Sequence, residues 1–418
     1  MDALQQSLNQ AVRNLPGLFL EKLITQKLQD QGIKATTTLS SKIAKHILSG
    51  STEPFRYRKD GLQRDVTLTF KEDDVNEMTK AIDLFCETKL PKVVNDVAGR
   101  VSKSVLKDLK SRWVQEHVAQ EADLSEFRSR LEARWGKPLG QLRMLLTMAR
   151  EWGQDATNRQ ISSKQGKKKY LRDILIRLHV RASQVTDEII CLLENGFADG
   201  AIARWRTLHE IGIVAAVISK HGEDIAQRYL AHQAIESKRA MNKYLNCCGP
   251  LGYRPLSARE VRGIAKAYEG AIKKYGKEFD AAYGWATVHL KKKRVTFADL
   301  EVEAGHAEMR SHYQMGNDNV HAGVKSMFVR LGLLDDYGRL LAGRSNAGLM
   351  EPGQNTAHTL TQISALVCLP GKFDDLVIAQ MIRMLRDEIP RSFYHADKRL
   401  RKDDKQYKAI TRGQISNG

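Results

Sequence analysis

The chain has little of what ordinarily announces a function or a compartment. Its cysteines number five (Cys86, Cys191, Cys247, Cys248 and Cys368), an odd count with no paired metal spacing. Cys247 and Cys248 are adjacent, and no His or Cys stands at a zinc-knuckle distance from them. Structural zinc is therefore not expected, and reduced thiols in a cytoplasm are. Prolines number only nine, and polar breaks are short, which favours helices over sheets. No window holds the roughly 20 apolar residues that cross a bilayer. The opening MDALQQSLNQAVRN has no basic head leading into an apolar run, so neither a membrane span nor a secretory leader is expected. A phosphate loop, a dinucleotide fingerprint, a nucleophile elbow and a kinase set are all missing. The stretch Gly343–Gly348 lacks the flanking strand such loops need, and no cofactor or metal is expected.

What the chain has is positive charge. Its formal net charge is +18, with 28% charged and 42% hydrophobic residues. Such an excess favours a polyanionic partner, nucleic acid first and an acidic protein or membrane surface after it. The alternative is a solvated surface that happens to be basic. The charge concentrates in three places: Lys167, Lys168 and Lys169; Lys291, Lys292, Lys293 and Arg294; and a tail beginning Lys398, Arg399, Arg401 and Lys402. These are the candidate nucleic-acid contacts.

Periodicity predicts an all-α protein. Residues 1–50 read as helices with a stop at Gly50. The run FRYRKDGLQRDVTLTF then carries the single strand signal, with Asp60-Gly61 as a turn and Val66, Leu68 and Phe70 alternating, so a small hairpin is expected near 55–70. Asp74 is placed to cap the next helix, with Glu77 three residues on. Amphipathic helices follow from Leu90 to about Trp152, separated by a break at Gly136–Pro138. A polar stretch over 153–169 ending in three lysines reads as a linker between domains. Beyond it, a helix over Tyr170–Asn195 stops at Gly196. Ser257 caps a helix over Ala258–Tyr275, and Thr296 caps another that runs on toward His321. Leu349–Thr356 reads as a loop, and a last helix ends near Tyr394. The expected organisation is an N-terminal region over 1–152, a basic linker over 153–169, a helical domain over 170–396 and a flexible basic tail over 397–418.

Two groups of residues could carry chemistry. The first lies in DGAIARWRTLHEIGIVAAVISK, Asp199 to Lys220, a helix apolar on nearly every side and hence buried. Arg206, His209 and Glu210 share one of its faces at i, i+3 and i+4. A buried Arg and Glu are costly unless paired, either with each other as an internal tie or with something brought to them. The second is HAEMRSHYQMGNDNVHAG, His306 to Gly323, where Asn317 and His321 share a helical face. Arg310 falls within about 20° of that face but about 16 Å away, and a bend at Gly316 would bring it closer. Histidine beside Asn and Arg suits proton transfer next to a held phosphate. The alternative is that Asn317 and His321 satisfy buried backbone groups.

The pairing of GAIARWRTLHEIGIVAAVI with the later NDNVHAG resembles a family of uncharacterised bacterial all-helical proteins, and is similar to the HEPN superfamily of helical bundles, over roughly 170–394. That resemblance implies a dimeric, metal-independent ribonuclease of toxin or phage-defence type, cytoplasmic, using the RNA 2′-hydroxyl as nucleophile and working with a partner protein of the same operon. On it, His321 is the general acid/base, Asn317 its orienter, Arg206 or Arg310 the phosphate clamp, and Glu210 the residue that positions Arg206. RNA is then favoured over DNA. The sequence departs from the HEPN pattern at Gly316, where the motif arginine belongs. A non-catalytic scaffold, with Arg206, Glu210 and His321 in a buried network and the basic surfaces binding nucleic acid or protein, is the rival expectation.

Overall fold

A computed structural model of the protein describes residues 2–57, 66–162, 169–321, 323–334, 340–367 and 373–415. The chain forms two compact units, Met1–Gln120 and Glu121–Gly418, and the division falls within one long helix. It is all-α: among the described residues there are helices and turns but no strand.

The first unit contains α1 (Asp2–Arg13), α2 (Leu15–Asp30), α3 (Thr37–Leu48), α4 (Glu72–Thr88) and the start of α5 (Leu90–Ser162). Leu20, Ile24 and Leu28 recur every four residues on α2, so they share one face, which packs on Ile43 and Ala44 of α3. Phe55, Leu68, Phe70 and Met78 close over this small core. The hairpin expected near 55–70 is not found. Residues 66–70 are irregular chain, and the Asp60-Gly61 turn lies outside the described residues. The alternation has another cause, because Leu68 and Phe70 lay one side of a segment on the helices. The Thr67 carbonyl accepts from Gln31 Nε2 at 2.9 Å, in place of a neighbouring strand. Asp74 is also not a cap. It is the third residue of α4, and its Oδ2 accepts the Lys71 N–H at 2.7 Å, so the helix starts earlier than expected.

In the second unit α5 continues, followed by α6 (Lys169–Glu194), α7 (Ala198–His221), α8 (Glu223–Ala231), α9 (Gln233–Cys247) and α10 (Ala258–Tyr275). Then come α11 (Phe297–Ala304), α12 (Arg310–Val320), α13 (Val324–Phe328), α14 (Met350–Val367) and α15 (Phe373–Ile415), with single 3-10 turns between α10 and α12. Ser257 and Thr296 cap α10 and α11 as expected, each accepting the N–H three residues on. Gly196, at φ +74°, ends the turn after α6.

The centre is α7. It packs against α6, α11, α12 and α14, which explains why it is apolar all round. Ala201, Ile202, Trp205, Leu208 and Ile211 join a core with Trp135, Leu142 and Leu145 of α5 and Ile389 and Phe393 of α15. Ile213, Val217 and Ile218, one or two turns on, face a second core with Ile225, Phe279, Trp285 and Leu300.

Three expected breaks are helix instead. Across Gly136–Pro138 α5 runs on, because Trp135, Leu139 and Leu142 are fully buried on either side of the break. Their burial, about 1.5–3 kcal/mol for each large side chain, offsets the roughly 3 kcal/mol that an interior proline costs. Pro138 has no N–H for the Arg134 carbonyl, which instead accepts a long bond of 3.5 Å from Arg399 Nη2. Leu349–Thr356 is not a loop, since α14 starts at Met350 and holds Pro352 in its first turn, where a missing N–H is harmless. The basic tail, too, is helical as far as it is described. α15 runs through Ile415, with Ile389, Phe393 and Ala396 buried and Arg134 bound to Asp403 at 2.7 Å. Of the stretch 153–169, residues 153–162 finish α5 and Lys169 opens α6.

Gly353 is required by close packing: a Cβ there would stand 2.2 Å from Phe393 Cζ. Gly353→Ala is expected to destabilise the second unit by about 1–3 kcal/mol as Phe393 is displaced. A lower urea midpoint, with Phe393→Leu recovering part of the loss, checks this.

Candidate functional site

The polar stripe on α7 is half-buried at Arg206 and Glu210 and buried at His209. It ends in a network with α11 and α12. Arg206 Nη2 pairs with Glu210 at 2.9 Å, one turn along the same helix. Glu210 Oε1 accepts the Tyr313 hydroxyl at 2.7 Å, and the Tyr313 ring lies under both Arg206 and Arg310, with centroid distances of 5.0 and 5.4 Å. Burial, and then the hydrogen bond to Glu210, push the Tyr313 phenol up to about 12. Behind it, the carboxylate of Glu301, 1% exposed, has two partners. Oε2 takes Arg310 Nη1 at 2.7 Å, and Oε1 meets His209 Nε2 at 3.1 Å. His209 stacks at a tilt on Trp205, 5.1 Å away, and packs against Phe297 and Tyr313. Burial holds its pKa below the usual histidine value, although Glu301 pulls the other way.

Of the residues singled out in the sequence, the structure thus brings together Arg206, Glu210 and Arg310. It does not bring His321 or Asn317 to the same charges. The helix expected to run from Thr296 to His321 stops at Ala304, with Gly305 left-handed at φ +75°, and restarts at Arg310. α12 is continuous through Gly316, so there is no bend, and Arg310 and His321 sit at opposite ends of it, about 16 Å apart along the axis. His321 is the exposed C-terminal cap of α12, with extended backbone. Asn317 is half-buried, and its Oδ1 has no hydrogen-bond partner among the described residues.

Gly316 sits where α12 approaches α7. It is buried against α7, and a Cβ there would lie 3.2 Å from both the Ile202 carbonyl and Arg206 Cβ. The position is a tight contact between two helices, where any side chain would press on the α7 backbone.

Glu301 and Tyr313 were not legible as site residues. Glu301 is 92 residues from His209, and nothing local marks it. Tyr313 could have been suspected from its i+3 spacing to Arg310. A satellite of the network was also missed: Gln362 Nε2 on α14 bridges His358 at 2.8 Å and His306 at 3.4 Å. His179 of α6 is a further buried histidine, 3.2 Å from Ser364 Oγ and held by burial at about 4. Among the described residues no group of His, Cys, Asp or Glu is arranged to hold a metal ion.

The basic clusters fare differently. Lys291, Lys292, Lys293 and Arg294 form an exposed turn in which Lys292 binds Asp299 at 2.6 Å. Lys167 and Lys168 lie outside the described residues, and Lys169 is exposed. Lys398, Arg399, Arg401 and Lys402 lie exposed on α15.

A sequence profile of a family of unknown function, DUF5677, matches residues 172–338, which takes in α6 to α13 and so Arg206, Glu301, Tyr313 and His321. No curated protein and no solved structure matches the chain. Among the described residues no helix is long and apolar enough to cross a membrane.

Two outcomes follow. Gly316→Arg is expected to weaken folding by about 1–3 kcal/mol through overpacking, read as a lower denaturation midpoint. The second concerns pH. Because the His179 pKa is lowered in the folded state, the unfolded chain binds a proton that the native state does not. Its contribution is present above about 6.5 and is lost as pH falls toward about 4, up to about 3 kcal/mol. Urea midpoints measured across that window should fall less steeply for His179→Gln than for the wild type.

Proposed function

We propose that the chain is a non-catalytic nucleic-acid-binding protein, in which Arg206, His209, Glu210, Glu301, Arg310 and Tyr313 form a structural tie and basic surfaces make the contacts. The observation that carries this is the pairing of both candidate phosphate clamps. Arg206 is held by Glu210 and Arg310 by the buried Glu301. A phosphate would share each guanidinium with a carboxylate that already balances its charge, and drawing Arg310 away would leave the buried Glu301 carboxylate without its cation. The net charge of +18 supports a polyanionic partner.

A second reading, the metal-independent HEPN-like ribonuclease of a defence or toxin system, acting as a homodimer with an operon partner, has one observation in its favour. Exposed His321 stands one helical turn from Asn317, whose Oδ1 is unused. RNA could in principle meet that pair, with phosphate charge balanced by residues outside the network.

Incubation of purified protein with total RNA, with and without EDTA and beside His321→Ala, tests the choice. The expected result is binding without cleavage. Glu301→Gln should lower stability by about 1–3 kcal/mol and leave RNA affinity unchanged. Cleavage that survives EDTA and disappears in His321→Ala would overturn the proposal in favour of the nuclease.

A further inference from the structure

An open cleft of about 1020 Å³ lies in the second unit, between α5 at Lys137 and Pro138, the first residue of α14 at Met350, and α15 from Ser392 to Lys405. Its wall carries Lys137, Lys398, Arg399, Arg401, Lys402 and Lys405, against one carboxylate, Asp397, which is buried and already bound to Arg401 at 2.7 Å. Lys137, Lys398, Lys402 and Lys405 make no ion pair among the described residues. Cations gathered in a cleft without counter-charge raise a positive potential that draws in anions.

The arrangement says what kind of anion. Tyr394, Lys398, Lys402 and Lys405 stand at i, i+4, i+8 and i+11 on α15, which puts them within about 80° of one face and strings them over about 16 Å. Charges spread along a line fit a chain of phosphates better than one phosphate group, which would call for donors converging on a point. Tyr394, at one end of the stripe, is 52% exposed, with the His395 ring beside it at 5.8 Å. An exposed ring beside a row of lysines is the combination that holds single strands, where base faces are free to stack; in a duplex they are not.

We infer that the cleft between α5, the start of α14 and α15 is a binding site for single-stranded nucleic acid, with Lys398, Lys402 and Lys405 on successive phosphates and Tyr394 under a base. The inference rests on the nucleic-acid-binding reading above and gives it a place, outside the residues matched by the family profile.

The test is fluorescence anisotropy on the full chain, with labelled oligouridylate, oligodeoxythymidylate and a duplex, each about 12 units long, between about 50 and 200 mM KCl. The combined variant Lys398→Ala, Lys402→Ala and Lys405→Ala is expected to lose about 10- to 100-fold in affinity. Its slope of log affinity against log salt should fall by about 2, at about 0.7 for each phosphate contact removed. Tyr394→Ala should lose about tenfold for single strands with the slope unchanged. All four side chains are exposed, so circular dichroism and urea midpoints should match the wild type. Tighter binding of the ribose strand assigns RNA as the ligand, and equal binding assigns either strand. Duplex bound as tightly as single strand overturns the inference, as does wild-type affinity in the triple variant. In that last case nucleic-acid binding itself stands and only the cleft is lost. Failure of the wild type to bind any of the three probes would remove both.

Discussion

Helix α7 has no solvent face to spare, and that single constraint organises the second unit. Packed by α6, α11, α12 and α14, it finds partners within the protein for most of the polar groups on its buried faces. Trp205 Nε1 therefore donates to Thr359 Oγ1 at 3.1 Å, and Arg206 turns back to Glu210. His209 meets a carboxylate brought from α11. The enclosing helices come close where side chains are absent, at Gly316 beside Arg206 and at Gly212 beside Thr359 and Ile363. Backbone approach and charge pairing are thus two parts of one arrangement. Gly316 lets α12, which carries Tyr313, lie close against α7 beside the stripe.

This changes the meaning of the charged residues on that helix. A guanidinium on a buried helix invites a catalytic reading, because a charge in a core is expensive without a purpose. Here part of the expense is met by neighbours, Glu210 for Arg206 and Glu301 for Arg310, while the buried Arg206 Nε has no partner among the described residues. The exposed lysines of α15 pose the opposite problem. They are cheap to hold in water, yet Lys398, Lys402 and Lys405 collect along one wall of a cleft with no ion pair among the described residues.

How much of this the sequence could disclose follows from the range of each interaction. Caps at Ser257 and Thr296 were legible because both partners lie within four residues. The enclosure of α7 was legible too, since an all-round apolar helix has one soluble solution. The continuity of α5 through Pro138 was not, because local punctuation gives no weight to the buried Trp135 and Leu142. The helical tail was hidden by its composition, although the spacing of Lys398, Lys402 and Lys405 was there to be read. The pairing of His209 with Glu301, and the fit of Gly316 against Arg206, depend on chain segments far apart in sequence. They belong to the packing alone.

Pro138 carries one more implication. By withholding an N–H from the Arg134 carbonyl it leaves an acceptor at the rim of the cleft, and Arg399 fills it with a long bond. The bond uses one of the five N–H donors of Arg399 and leaves its charge intact. The imino acid therefore works as a tether on one side chain, holding a guanidinium against the helix while its other donors stay turned to whatever enters the cleft.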